Sequence, residues 1–161
     1  MTFSAGQKVT AAQLNLLIPV FVRQVADTSP VNNSTTLVND TEMVFPVLAL
    51  TTYEIRGRVL FTSATAADLK LGWTFPTGLT MSYSVTCFQG ATFSSFDYIQ
   101  TGNPTCEGAG ASTNDELLMM GTVVVASTAG NLQLQFAQAT ANASNTVIKA
   151  GSHIILTPQV T

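Results

Sequence analysis

The fold is decided by residues 52–61, which read Thr52-Tyr53-Glu54-Ile55-Arg56-Gly57-Arg58-Val59-Leu60-Phe61. Apolar residues or glycine at the odd positions alternate with charged residues at positions 54, 56 and 58. A period of two is the spacing of a β-strand that buries one face and exposes the other. This segment therefore predicts a strand that covers one side of a hydrophobic core.

Three further segments, 69–75, 81–87 and 132–136, show the same alternation. Their predicted inward residues are Leu69, Leu71, Trp73, Phe75, Met81, Tyr83, Val85, Cys87, Leu132, Leu134 and Phe136. Turns rich in Gly, Pro and Asn separate the segments at short intervals, as is typical of sandwiches and barrels. We expect an all-β fold, an antiparallel β-sandwich that resembles a jelly roll, with about eight to ten strands.

The N-terminal region departs from the period of two. Thr10 and Gln13 have the spacing of a capping box, and Pro19 ends the helix after about residue 17. We therefore divide the chain into a helical arm, residues 1–19, and a β-sandwich domain, residues 20–161. A helix of about two turns is marginal alone, so the arm docks either on its own domain or on a neighbour. The predicted anchoring residues are Val9, Thr10, Gln13, Leu14 and Leu17.

Charged residues make up only 9% of the chain, whereas hydrophobic residues make up 46%. Soluble globular chains carry charge on about a quarter of their residues, so we expect much of this surface to be covered by other copies or partners. The six basic residues do not cluster and the net charge is −3, which argues against a nucleic-acid partner.

The most apolar stretches are too short to cross a membrane, because Pro19 and Pro46 interrupt them. We expect no membrane insertion. The first twelve residues do not resemble a signal peptide, so we expect synthesis in the cytoplasm and release by another route, such as lysis.

Two segments, 43–50 and 117–126, carry apolar residues on both faces. A strand buried on both faces requires a cover on its outer side. The arm, the opposite sheet or another subunit could supply this cover, and the low charge favours another subunit. The predicted interface residues are Met43, Val44, Phe45, Leu118, Met120, Val123, Val124 and Val125.

Candidate catalytic residues are scarce. His153 is the only histidine and lies in a predicted late strand, where a sheet-surface position or a subunit contact is the usual role. A glycosidase would require two of the carboxylates Asp97, Glu107, Asp115 and Glu116 to face one cleft. We expect these carboxylates to form a solvated rim instead. The chain is predicted to have no catalytic residues, no metal site and no cofactor.

Residues 100–114 are rich in Gly, Thr and Asn and predict an exposed loop. The predicted ligand-contact residues beside it are Phe93, Phe96, Asp97 and Tyr98. Exposed aromatic rings next to a carboxylate would suit stacking on a sugar, although the same rings could belong to the core. Cys87 and Cys106 could form a disulfide across this region. A reducing compartment would keep both thiols reduced, so the sequence does not decide whether the bond forms.

The opening segment reads Phe3-Ser4-Ala5-Gly6-Gln7-Lys8-Val9-Thr10-Ala11-Ala12-Gln13-Leu14-Asn15. Later landmarks are Thr52-Tyr53-Glu54-Ile55-Arg56-Gly57, Phe75-Pro76-Thr77-Gly78, Phe136-Ala137-Gln138 and Val147-Ile148-Lys149-Ala150-Gly151-Ser152. In this order the segments resemble small virion structural proteins, often called minor tail proteins, of tailed bacteriophages that infect actinobacteria. The strand plan is more loosely similar to trimeric jelly rolls of the complement C1q and tumour-necrosis-factor type.

This resemblance implies a non-enzymatic homotrimer that is fixed to a virion by its arm and contacts other virion proteins. One placement is in the tail, as a minor tail protein or fibre head that touches host surface glycan. The alternative is a decoration or cement protein on the capsid lattice. A depolymerase of host glycan is a third reading, for which the residues offer the least support.

Overall fold

The computed structural model describes residues 5–15, 17–89, 92–100 and 102–159. Within these residues the elements are α1 (Ala11–Asn15), β1 (Val20–Arg23), β2 (Val38–Val47), β3 (Thr52–Ser63), β4 (Leu69–Thr74), β5 (Thr80–Gln89), β6 (Thr92–Gln100), β7 (Thr105–Cys106), β8 (Gly110–Val124), β9 (Gly130–Gln138), β10 (Val147–Ile148) and β11 (His153–Gln159). The strands form two sheets, and their pairings are antiparallel.

The larger sheet has the order β1-β11-β3-β8-β5-β6, with β10 also on β3, and the smaller sheet has the order β2-β9-β4-β7. When the hairpin β5–β6 and the short β10 are set aside, the remaining strands pair from the outside inward. β1 pairs with β11, β2 with β9, β3 with β8, and β4 with β7. This nested pairing over two sheets is the jelly-roll arrangement. The predicted fold class is confirmed.

The four alternating segments line one core, as predicted. Their buried side chains are Tyr53, Ile55, Val59, Phe61, Leu69, Leu71, Trp73, Met81, Tyr83, Val85, Cys87, Leu132, Leu134 and Phe136. The prediction for Phe75 is wrong, because this side chain is exposed. Strand β4 ends at Thr74, and Pro76 turns the chain out of the sheet before residue 75 can face inward.

A β-bulge in β2 determines which of its residues enter the core. The pairing with β9 shifts between Asn39 and Val44, so the inward side chains change from the even position Asp40 to odd positions such as Met43. The Asp40 Oδ1 atom accepts hydrogen bonds from the backbone N–H groups of Glu42 and Met43, at 2.9 and 3.0 Å. Burial raises the pKa of Asp40, and these two hydrogen bonds oppose that rise.

A disulfide between Cys87 and Cys106 joins the two sheets, with the two Cα atoms 5.7 Å apart. It attaches β5 of the larger sheet to β7, which is only two residues long and lies at the edge of the smaller sheet. The expectation of an exposed loop over residues 100–114 is therefore wrong: Pro104 and Cys106 are buried, and β8 begins at Gly110. The Pro104 carbonyl accepts a hydrogen bond from the Leu71 N–H at 2.9 Å, which holds the segment on β4.

The strand directions define two ends of the sandwich. At one end lie the start of β1, where the arm leaves, and the turns 48–51, 75–79 and 125–129. We call this the arm end. At the opposite end lie the turns 64–68 and 139–146 and the tip of the hairpin β5–β6, and we call this the far end.

Loss of the disulfide should lower the free energy of unfolding by about 3 kcal/mol, because the bond closes a loop between residues 19 positions apart and restricts the unfolded chain. Urea denaturation with and without a thiol reductant measures this difference. The double variant C87A/C106A is the control and should show no response to reductant. Equal midpoints for the parent chain in both conditions would contradict the prediction.

Candidate functional site

Two rows of side chains cross the outer face of the larger sheet in strand register. The first row contains Phe21, Ile155, Arg56, Met120 and Ser84. The second row contains Arg23, His153, Arg58, Leu118 and Thr86. Each row crosses β1, β11, β3, β8 and β5 in that order. We call the outward side of the larger sheet, which these rows cross, the outer face.

The outer face is rich in exposed apolar groups. Phe21, Leu118, Met120 and Val124 are all exposed, and Met120 is 56% accessible to solvent. A shallow depression of about 470 Å³ lies at the centre, lined by Arg56, Met120 and their neighbours in the two rows. Contiguous exposed apolar surface on a folded chain marks an interaction site more often than a random feature of the surface. The outer face is therefore the leading candidate for an interface.

Two of the three arginines in these rows form ion pairs within the subunit. Arg56 pairs with Glu54, and Arg58 pairs with Glu116, each at 2.6 Å between nitrogen and oxygen. The hydrogen bond that Arg58 donates to Glu116 raises the pKa of Arg58. Exposed ion pairs add little stability, but a paired charge is easier to bury against a partner than an isolated one. Arg56 and Arg58 therefore do not prevent the face from being covered, and Arg23 lies on the edge strand β1.

His153 lies at the start of β11 on this face, in the strand position that the sequence predicts. Its ring centroid is 5.9 Å from that of Phe21, and its Nδ1 atom is 3.3 Å from the Gly151 carbonyl oxygen. These contacts are those of a packed surface histidine.

The predicted interface residues fall into three groups. Leu118, Met120 and Val124 lie exposed on the outer face. Val44 is half-buried and points away from the core on β2, in the opposite sheet.

The remaining four, Met43, Phe45, Val123 and Val125, are buried in the core of their own subunit. Their assignment to an interface is therefore corrected. Residues 43–47 of β2, after its bulge, and residues 115–120 of β8 alternate between the core and the surface. What is unusual is that apolar residues also occupy the outward positions of β8.

The predicted ligand-contact residues lie in strand β6 and not in a loop, which corrects that expectation. Phe93 is exposed near the tip of the hairpin at the far end, where its ring lies 6.4 Å from that of Phe88. The side chains of Phe96, Asp97 and Tyr98 lie outside the described residues, and their backbone belongs to the edge strand of the larger sheet.

The predicted capping box forms in the arm. The Thr10 N–H donates to Gln13 Oε1 at 3.0 Å, and the Gln13 N–H donates to Thr10 Oγ1 at 3.2 Å. Helix α1 ends at Asn15, two residues earlier than predicted. Val9, Leu14 and Leu17 are exposed, so these anchoring residues are not buried against their own domain.

The carboxylates do not form a catalytic pair among the described residues. Asp115 is buried and accepts a hydrogen bond from the Ala109 N–H at 2.7 Å, whereas Glu116 points to the outer face and binds Arg58. Neighbouring residues of a strand point to opposite faces, which explains this separation. In the described part of the chain, no three His, Cys, Asp or Glu side chains are grouped so that they could hold a metal ion.

Among the described residues, no helix has the length and apolar character needed to cross a membrane.

Comparison with known proteins identifies no family for this chain. No protein-family model matches it, and no curated protein matches it. One similar solved structure is a chain of the infectious bursal disease virus Gx strain, with 11% identity, a TM-score of 0.38, and coverage of 87% of this chain and 33% of that chain. A chain of the Gt strain has 11% identity, a TM-score of 0.21, and coverage of 88% and 41%. This chain thus spans less than half the length of either viral chain.

Replacement of Met120 by glutamate should dissociate subunits that associate through the outer face, because Glu54 already neutralises the opposite Arg56 and the added carboxylate would leave a net negative charge buried in the contact. Sedimentation velocity measures the association, and far-UV circular dichroism checks that the fold is kept. V38E is the matched control, since Val38 lies on the smaller sheet and is 40% exposed. An M120E variant that keeps the oligomeric state of the parent chain would exclude the outer face as the interface.

Proposed function

We propose that this chain is a non-enzymatic structural protein of a tailed-bacteriophage virion, and that it forms a homotrimer and contacts the host as part of the tail. The observation that carries the proposal is the uncovered apolar outer face of the larger sheet. Three copies that cover this face would explain how a chain with 9% charged residues stays in solution.

The size of the outer face suits a subunit interface. Five strands about 4.8 Å apart, with about eight residues on average in the face and only four in β1, span roughly 600 Å². A standard interface buries about 800 Å² on each partner, so the sheet face and its rim together are large enough. The exposed residues Phe21, Leu118 and Met120 give the surface the apolar character that obligate interfaces share.

The two ends of the sandwich support a role in a particle. The arm leaves from one end with Val9, Leu14 and Leu17 exposed, and a short helix of this kind gains stability by docking on a partner. Phe88 and Phe93 lie at the other end. A subunit held by its arm would therefore present these aromatic rings outward, where they suit stacking on host surface glycan.

The sequence resemblance to minor tail proteins is the second support. In this proposal the chain is made in the host cytoplasm, joins other virion proteins and leaves the cell on lysis. It needs no cofactor, binds no nucleic acid and does not insert into a membrane. A decoration protein on the capsid lattice is the alternative, because the exposed arm could equally grip capsid subunits. A few trimers per particle would support the tail, and hundreds of copies would support the capsid.

Deletion of residues 1–18 should leave a folded sandwich that no longer enters particles, because β1 begins only at Val20 and none of the described arm residues belongs to the core. Mass spectrometry of purified particles measures the copy number, and circular dichroism of the isolated variant tests the fold. Wild-type copy numbers for the deletion variant would reject the anchoring role of the arm.

A further inference from the structure

We propose that a pocket at the edge of the smaller sheet binds the ammonium group of a lysine side chain from another virion protein. The pocket lies between residues 28–31, which follow β1, and residues 38–41 of the edge strand β2. Its central group is the buried carboxylate of Asp40. This inference rests on the proposed function for the kind of partner, whereas the pocket belongs to the isolated chain.

The carboxylate of Asp40 has one oxygen without a partner. The Asp40 side chain is only 1% exposed. Its Oδ1 atom accepts the N–H groups of Glu42 and Met43, whereas Oδ2 has no hydrogen-bond partner among the described residues. In the same part of the chain, no lysine, arginine or histidine forms an ion pair with Asp40. A buried carboxylate oxygen without a partner is costly, so the geometry favours a ligand that donates to Oδ2.

The charges around Asp40 favour a cation as this ligand. Burial is the main cause that raises the pKa of Asp40, and the nearby Glu42 carboxylate adds to the rise. The Oε2 atom of Glu42 itself accepts the Val25 N–H. A cation beside Oδ2 would stabilise the ionised form of Asp40 against both effects. The pocket therefore has negative charge and lacks a counter-ion of its own.

The size and the walls of the pocket suit a single long side chain. Its volume is about 250 Å³, below the roughly 300–1,000 Å³ of pockets for drug-sized ligands. The apolar side chains of Pro30, Val31, Val38 and Phe136 line it together with Asp40. A lysine side chain packs its methylene groups against apolar surface and carries a charge at its end. This combination matches apolar walls beside a buried carboxylate.

The hydrogen bonds already present favour lysine over arginine and over a metal ion. A guanidinium binds a carboxylate best through two parallel hydrogen bonds, but Asp40 Oδ1 is already engaged. Calcium takes about six to eight oxygen ligands. Here Asn39 Oδ1 already accepts from Gln135, and Thr28 Oγ1 accepts from the Ile148 N–H. An ammonium is a compact charge that can use the one free carboxylate oxygen.

The chain itself offers few lysines for this pocket. It contains three. Lys70 donates to the Thr35 carbonyl, and Lys149 pairs with Asp27. Lys8 belongs to the arm, which leaves from the arm end, whereas Asp40 lies near the start of β2, toward the far end. We therefore assign the lysine to a different protein.

The first test titrates the ¹⁵N-labelled full-length chain with n-butylammonium chloride, an analogue of the lysine side chain, at constant ionic strength. Amide signals of residues 28–31 and 38–43 should shift and saturate, with a Kd in the millimolar range that is typical of one small group. n-Butylguanidinium and calcium chloride should bind at least about tenfold more weakly. D40N should abolish the shifts. E107Q is the matched control, since Glu107 is an exposed carboxylate that follows β7 at the opposite edge of the same sheet.

The second test measures the copy number of D40N in purified particles. D40N should lower it about tenfold or more, because the lysine would lose the carboxylate it binds. E107Q should leave it unchanged. The isolated D40N chain should unfold at a higher urea concentration than the parent chain, since the amide oxygen still accepts the N–H groups of Glu42 and Met43 while the buried charge is removed.

Three results of the titration would overturn the inference and leave the proposed function standing: no saturable shift near the pocket, equal binding of n-butylammonium to D40N, or tighter binding of calcium. An unchanged copy number of D40N would do the same. A smaller oligomer for isolated D40N in sedimentation velocity would identify the occupant as another copy, and would also overturn the inference. Absence of the parent chain from particles would overturn both.

Discussion

The pairing of β3 with β8 is the constraint on which the rest of the structure depends. It runs in register from Thr52 opposite Val124 to Phe61 opposite Asp115, so the two longest strands share a single in-and-out alternation. The inward side chains, such as Ile55 and Leu117, form the middle of the core. The same register places Met120 opposite Arg56 on the outside, which creates the outer face. The core and the proposed interface are therefore the two faces of the same β3–β8 pairing. A shift of its register by one residue would move the core side chains of the shifted strand to the outer face.

The alternation in residues 52–61 was sufficient to predict an all-β sandwich, because burial of every second residue is a local property that a sequence shows directly. The capping box of Thr10 and Gln13 was predictable for the same reason, since both partners lie within one turn. Strand β8 was harder to interpret. Its residues 117–125 are apolar at both odd and even positions, and one sequence does not distinguish a core residue such as Val123 from an exposed one such as Val124.

Contacts between residues far apart in the sequence explain the other differences between the predicted and the observed structure. Strand β7 is two residues long in a segment rich in Gly and Thr, and it belongs to the sheet because Cys106 reaches Cys87 and the Pro104 carbonyl binds Leu71. No local pattern reports such contacts. The left-handed conformation of Leu50, with a φ angle of +55°, was also hidden, because leucine gives no indication of a positive φ.

The central claim is that identical subunits cover the outer face. Sedimentation equilibrium of the purified full-length chain at micromolar concentration tests it most directly. The account predicts one species with three times the 17.0 kDa mass of a single chain. A stable species with the mass of one chain at that concentration would contradict it.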